Sequence, residues 1–290
     1  MPKWSGKSKG TVLGYRIFIF LIRKAGVKSA YLILYFVATY YFLFLWTTNK
    51  HIFYYFRQRQ GFSFWKSVRS VYRSYFVFGQ TLIDKFAIQS GLQDRYTYEF
   101  DGVEYIKELL AQKKGGIMLS AHVGNFEISE YFFNEIDIHC QINMVTADQE
   151  RSDIKEYLET ISGKTSVKQI LIKEDMSHVF EISKALENNE LICFTGDRYF
   201  EGSKALEGSV LGEEANFPAG PFMIASRMQV PVLYVYVMKE KNMHYHLYAR
   251  KGVVKHRDAK ALLNNYTENL EEMLRKYPYQ WFNYFDFWGK

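Results

Sequence analysis

The sequence predicts an α/β protein in which a mostly parallel central sheet is flanked by helices and preceded by hydrophobic, membrane-seeking helices. Three observations carry that prediction. From about residue 103 onward, short apolar runs alternate with helix-periodic segments, the pattern of a parallel sheet with helices on its faces. The chain has 290 residues and 48% apolar content, enough for one large core and too apolar for disorder. Residues 1–83 contain thirteen Lys or Arg and no acid, the first being Asp84, whereas the rest of the chain carries all 31 acidic residues. A basic, aromatic, acid-free segment suits an anionic membrane surface. Nucleic acid would use the same charge, but the uncharged hydrophobic run inside this segment favours lipid. The mean hydropathy of −0.23 excludes a polytopic membrane protein.

We divide the chain into a membrane-anchoring region, 1–90, and an α/β domain, 91–290. Residues 1–14 read as a flexible basic arm. Ser29 to Asn49 is uncharged, rich in Leu, Phe and Tyr, and ends near Trp46, which makes it long enough to cross a bilayer. Basic residues flank both ends (Lys24 and Lys28; Lys50, Arg57 and Arg59), so charge does not choose an orientation. A helix lying in the cytoplasmic leaflet fits as well as a spanning one, and burial against the domain is a third reading. No small-residue cleavage site follows, which argues against a removable signal. Phe62 to Ser90 is helical, with Lys66, Arg69 and Arg73 at helical spacing, either membrane-facing or solvated.

Val103 to Lys114 is helical and stops at Gly115-Gly116, and Ile117 to Ala121 reads as a buried strand. Phe126 to Phe133 follows as a helix with Asn125 near its N-cap. Further strands are expected at Cys140–Val145, Val167–Ile172, Leu191–Thr195, Val230–Val237 and around Met243–Tyr248. Helices are expected at Ile154–Ile161, Val179–Leu186, from about Pro221 to Met228, and from Ala259 to Tyr277. Gly196 to Asn216 reads as a long, polar, glycine-rich segment. Cys140 and Cys193 both lie in strand-like runs, as inert core thiols of a reducing compartment would.

Chemistry is expected at His122. A histidine at the carboxyl end of a buried strand, beside a helix N-terminus, sits where open α/β sheets place ligands. Glu127, five positions on, is expected to reach back, fix the imidazole tautomer and stabilise the imidazolium. The same pair also suits a core histidine with a capping glutamate.

The residues around this pair resemble a known family. His122-Val123-Gly124-Asn125-Phe126-Glu127 is similar to the His-x4-(Asp/Glu) signature of the lysophospholipid acyltransferase superfamily. Its Gly-Asn-aromatic variant resembles the bacterial late lipid A biosynthesis acyltransferases. Gly196-Asp197-Arg198, Asn216-Phe217-Pro218-Ala219-Gly220-Pro221, Val230-Pro231-Val232 and Tyr277-Pro278-Tyr279-Gln280-Trp281-Phe282 resemble further blocks of that branch, in the same order. The resemblance implies a glycerolphosphate acyltransferase-like fold and acyl transfer from acyl carrier protein or acyl-coenzyme A to a lipid hydroxyl. It also implies a bacterial inner-membrane enzyme on the cytoplasmic face that needs no cofactor. Two departures, Gly-Asp-Arg in the second block and Asn283 to Trp288 after the last, leave the acceptor open. An amino-lipid, a pigment or a lysophospholipid are the alternatives, and a catalytically inactive lipid-binding protein is the non-enzyme one.

On this reading His122 takes the acceptor's proton, and direct transfer follows without an acyl-enzyme, since the motif holds no Ser or Cys nucleophile. Asp197 and Arg198 end another strand and would line the same crevice, Arg198 binding a phosphate or oxyanion, or else bridging to Asp197 or Glu201. Asn125 is a substrate contact or a cap, Pro218 and Gly220 contact substrate or shape a turn, and Arg151 is a weaker phosphate candidate. His244 and His246 share one strand face without a third ligand at metal spacing. No P-loop or dinucleotide fingerprint appears.

Overall fold

A computed structural model describes residues 12–129, 131, 133, 140–146, 167–199 and 202–289 of the chain. The helix expected at Ile154–Ile161, together with Arg151, lies outside them.

The N-terminal region is built from α1 (Val12–Phe44), α2 (Trp46–Tyr54) and α3 (Phe64–Ala87). Gly26, at φ 80°, kinks α1. Beyond the kink, Val27, Ala30, Leu34 and Ala38 recur at helical spacing and are buried, with Leu34 lying over Gly79 of α3. The other faces of α1 are apolar too, yet exposed: Leu32 is 64%, Phe36 76% and Phe44 64% exposed.

Next come β1 (Thr97–Asp101), α4 (Val103–Ala111), β2 (Gly116–Ser120), β3 (Ile142–Thr146), β4 (Val167–Leu171), α5 (Ser177–Glu187) and β5 (Leu191–Thr195). They are followed by β6 (Ala205–Val210), β7 (Glu213–Pro218), α6 (Ala219–Arg227), β8 (Val232–Lys239), β9 (His244–Lys251) and α7 (Ala259–Lys276). Seven strands form one sheet in the order β1-β9-β8-β2-β5-β3-β4, parallel throughout except between β8 and β9. The strands β2 and β8 are buried along their whole length, as a sheet covered on both faces requires.

Alternate side chains of each strand enter two cores. Ile117, Leu119, Ile192, Phe194, Tyr234 and Tyr236 pack with residues of α5, α6 and α7 on one face. Met118, Cys193, Leu233, Val235 and Val237 pack on the other with α4 and with Val27, Ala30 and Leu34 of α1. Helix α3 contributes Val71 and Tyr75 to the first core and Ile83 and Phe86 to the second, so it passes over the sheet edge between them.

A buried charge pins α3 in place. Asp84 accepts from Lys239 Nζ at 2.7 Å and from the hydroxyls of Tyr245 at 2.6 Å and Tyr96 at 2.8 Å, as well as from Tyr31 of α1. Four donors surround one fully buried carboxylate, satisfying it where a lone charge would be costly.

Two elements depart from expectation. The strand β1 has no counterpart in the sequence reading, although Thr97 to Asp101 alternates exposed and half-buried residues as an edge strand does. Part of the segment read as a polar loop is the β6–β7 hairpin, closed by Leu211 and Gly212 at φ 53° and 75°. Both turn residues are left-handed, the geometry of a tight two-residue hairpin. Leucine is not a usual residue there, which hid the turn.

Candidate active site

The parallel register of β2 and β5 builds the site. Ser120 lies opposite Thr195, so the residues two positions beyond each, His122 and Asp197, emerge side by side at the carboxyl edge. Asp197 is fully buried and accepts the His122 backbone N–H at 3.0 and 3.1 Å to its two oxygens. His122 Nδ1 lies 2.7 Å from Asp197 Oδ1. An ionised carboxylate only accepts, so Nδ1 carries the proton and Nε2 presents its lone pair.

The remaining Asp197 partners come from the C-terminal segment: Trp281 Nε1 at 3.0 Å and Asn283 Nδ2 at 2.9 Å. Burial by itself pushes the Asp197 carboxyl up. The charge and hydrogen bond of His122, the Arg198 guanidinium and the Trp281 indole outweigh it and hold the carboxyl at about 2. A permanently ionised aspartate therefore sits behind a half-buried imidazole.

The loop carrying His122 is clamped from both sides. The His122 carbonyl accepts from Phe282 N at 2.9 Å, Gly124 N donates to Gln280 O at 2.9 Å, and Asn125 N donates to Val237 O at 2.7 Å. Gln280 in turn pairs with the Lys239 backbone through both ends of its amide, at 2.8 and 2.7 Å. Gly124 stands at φ +65°, and a Cβ there would lie 2.1 Å from the Val237 carbonyl oxygen. Only glycine lets the loop approach β8 this closely.

Several expected residues stand elsewhere. Glu127 was expected to fix the His122 tautomer, and Asp197 holds that place instead. Glu127 sits on a 3-10 turn, Phe126–Ile128, and pairs with Lys85 of α3. Its carboxyl is held below the usual range, chiefly by the Lys85 charge. Asn125 does not cap its turn. It is buried, and its side-chain amide donates to Thr81 O at 2.9 Å and to Tyr245 Oη at 3.4 Å, tying the loop to α3 and β9.

Arg198 donates from Nε to Asn283 Oδ1 at 3.0 Å and from Nη2 to Phe282 O at 3.1 Å. It fastens the C-terminal segment over the site, a partner neither sequence alternative named. Pro218 ends β7 and leads into α6, where Gly220 is exposed in the first turn. That block nevertheless reaches the site through Phe217, whose ring lies 5.6 Å from Phe287, itself 4.8 Å from Trp281.

His244 Nδ1 lies 2.8 Å from Thr97 Oγ1, and His246 stacks on Tyr248 at 4.1 Å, both on the β1–β9 side of the sheet. The sequence reading missed Trp281, Asn283 and Lys85 as site residues. Trp281 stood inside a recognised block, but nothing local to Asn283 or Lys85 points to His122.

A family model described as bacterial lipid A biosynthesis acyltransferase matches residues 66–288. No curated protein matches the chain.

Proposed function

Because this chain belongs to the bacterial lipid A biosynthesis acyltransferase family and is therefore an acyltransferase, we propose that it moves a fatty acyl chain from a thioester donor to a hydroxyl of a membrane lipid. The observation that supports this most directly is the His122–Asp197 pair, with its Nε2 lone pair at the carboxyl edge of the sheet. In the proposed step, Nε2 takes the acceptor hydroxyl proton as that oxygen attacks the thioester carbonyl. The tetrahedral intermediate collapses by breaking the C–S bond, and the imidazolium returns its proton to the leaving thiolate. Asp197 stabilises the imidazolium while it exists.

The preferred donor is acyl carrier protein, an acidic partner drawn to a basic surface, with acyl-coenzyme A as the alternative. Helices α1 to α3 seat the protein on the cytoplasmic face of the inner membrane. The segment Lys24–Phe44 is apolar and long enough to cross a bilayer, but its packing favours a helix lying in the leaflet. Tyr31 bonds Asp84 and Leu34 covers Gly79, and these same turns of α3 hold the His122 loop and β8. A crossing along α1 would drag the sheet's carboxyl edge to bilayer depth. A helix lying flat immerses its exposed Leu32, Phe36 and Phe44 and opens the site toward a lipid acceptor.

The test is transfer by the full chain in detergent from palmitoyl-acyl carrier protein or palmitoyl-coenzyme A to a total membrane lipid extract, read by lipid mass spectrometry. A lipid gaining one acyl mass is expected, with loss of about 10²–10⁴-fold in rate for a folded His122→Ala protein. The mass of the product separates a hydroxyl of a lipid A-like acceptor from an amino-lipid, pigment or lysophospholipid. Transfer undiminished in His122→Ala would refute the reading.

A further inference from the structure

We propose that Lys85 is a positioning residue for the reaction, anchoring Glu127 and with it the far end of the loop that carries His122. The proposal rests on the acyl-transfer reading above. Thr81, Asp84 and Lys85 lie one turn apart on a single face of α3. The Thr81 carbonyl accepts from Asn125, and Asp84 is locked by Lys239 and Tyr245. The last turn of α3 is therefore fixed to the sheet, and the Lys85 side chain is only 15% exposed. Glu127 is the opposite case, with its side chain 58% exposed on a short 3-10 turn, and the ion pair with Lys85 anchors it.

Glu127 comes five residues after His122, on the 3-10 turn that ends the His122 loop. The loop is held elsewhere by backbone hydrogen bonds to Phe282, Gln280 and Val237 and by the Asn125 amide on Thr81, and the Lys85–Glu127 ion pair fixes its far end to the last turn of α3. A base misplaced by about 1 Å can lose some 10²-fold in rate, so slack in this loop weakens the chemical step more than the binding of substrate.

The test follows thiol release from palmitoyl-coenzyme A by the full chain in detergent with a membrane lipid extract, between pH 5 and pH 9. Lys85→Met is expected to lower kcat about tenfold with the KM for the thioester within about twofold. Lys85→Arg should restore kcat, and in a Glu127→Gln background Lys85→Met should cause no further loss. Lys85→Gln, which keeps the polar stem, serves if the methionine variant does not fold. A wild-type kcat in the Lys85→Met protein, or an equal loss in the Glu127→Gln background, would overturn the proposal. His122→Ala separates the two readings: if it is inactive while the Lys85 variants are normal, only this inference fails. If it is fully active, the acyl-transfer site itself fails.

Discussion

Replacing Asp197 by Asn removes one charge from the centre of the site, and the structure sets the size of the effect. Each group facing the carboxylate is a donor: the His122 backbone N–H and Nδ1–H, Trp281 Nε1–H and Asn283 Nδ2–H. An asparagine offers one oxygen and one NH2, so in either flip its amide hydrogens meet a donor. If NH2 faces the ring, the imidazole must turn to the other tautomer, and Nε2 carries the proton it should accept. Activity should fall by about 10³–10⁴-fold, the range expected for a misassigned tautomer.

Stability falls as well. Asp197 sits at about 2 against an ordinary 3.8, a difference worth roughly 2 kcal/mol to the folded state. Because the folded value is the lower one, this contribution is whole at neutral pH. It is lost as pH falls from about 4 toward about 2. The Asp197→Asn protein should therefore unfold at lower denaturant than wild type at pH 7, by about 2–3 kcal/mol, with the gap closing near pH 2. Thioester turnover and urea unfolding at the two pH values check both parts. A folded Asp197→Asn protein within tenfold of wild-type activity would sink the argument that this carboxylate sets the tautomer.

Gly124→Ala should misplace the His122 loop, since its Cβ would strike the Val237 carbonyl; a drop of about 2–4 kcal/mol in urea unfolding, with lost activity, is expected. Asp84→Asn should destabilise by about 3–5 kcal/mol because Lys239 keeps a buried charge without its counterion, and adding Lys239→Met should recover part of the loss. Melting curves of the two single variants and the double variant measure it. Phe36→Glu with Phe44→Glu should weaken sedimentation with anionic vesicles while leaving the melting temperature near wild type, because both rings are exposed. Leu34→Glu, buried on α3, should lower the melting temperature instead.

The strands that carry the site were legible because each is a short apolar run bracketed by glycine or polar residues. β5 runs from Leu191 to Thr195 as expected, and β2 ends within a residue of expectation. The β6–β7 hairpin was not legible, because a Leu-Gly turn lacks the Asn or Asp that usually marks a left-handed pair. β1 escaped because its apolar residues are only half-buried, so the run is too mixed to stand out.

The sequence by itself determined that a histidine closes a buried strand, that an acid-free amphipathic region precedes it, and that an ordered set of blocks places the chain among acyltransferases. It also delivered Asp197 to the end of a second strand. Only the tertiary structure decided which acid serves His122. Glu127 is five residues away and faces α3, whereas Asp197 is 75 residues away and arrives in contact. The reason is geometric: parallel register between β2 and β5 brings strand ends together whatever the length of chain between them. A short turn, by contrast, aims its side chains by its own dihedrals and by whatever helix packs against it.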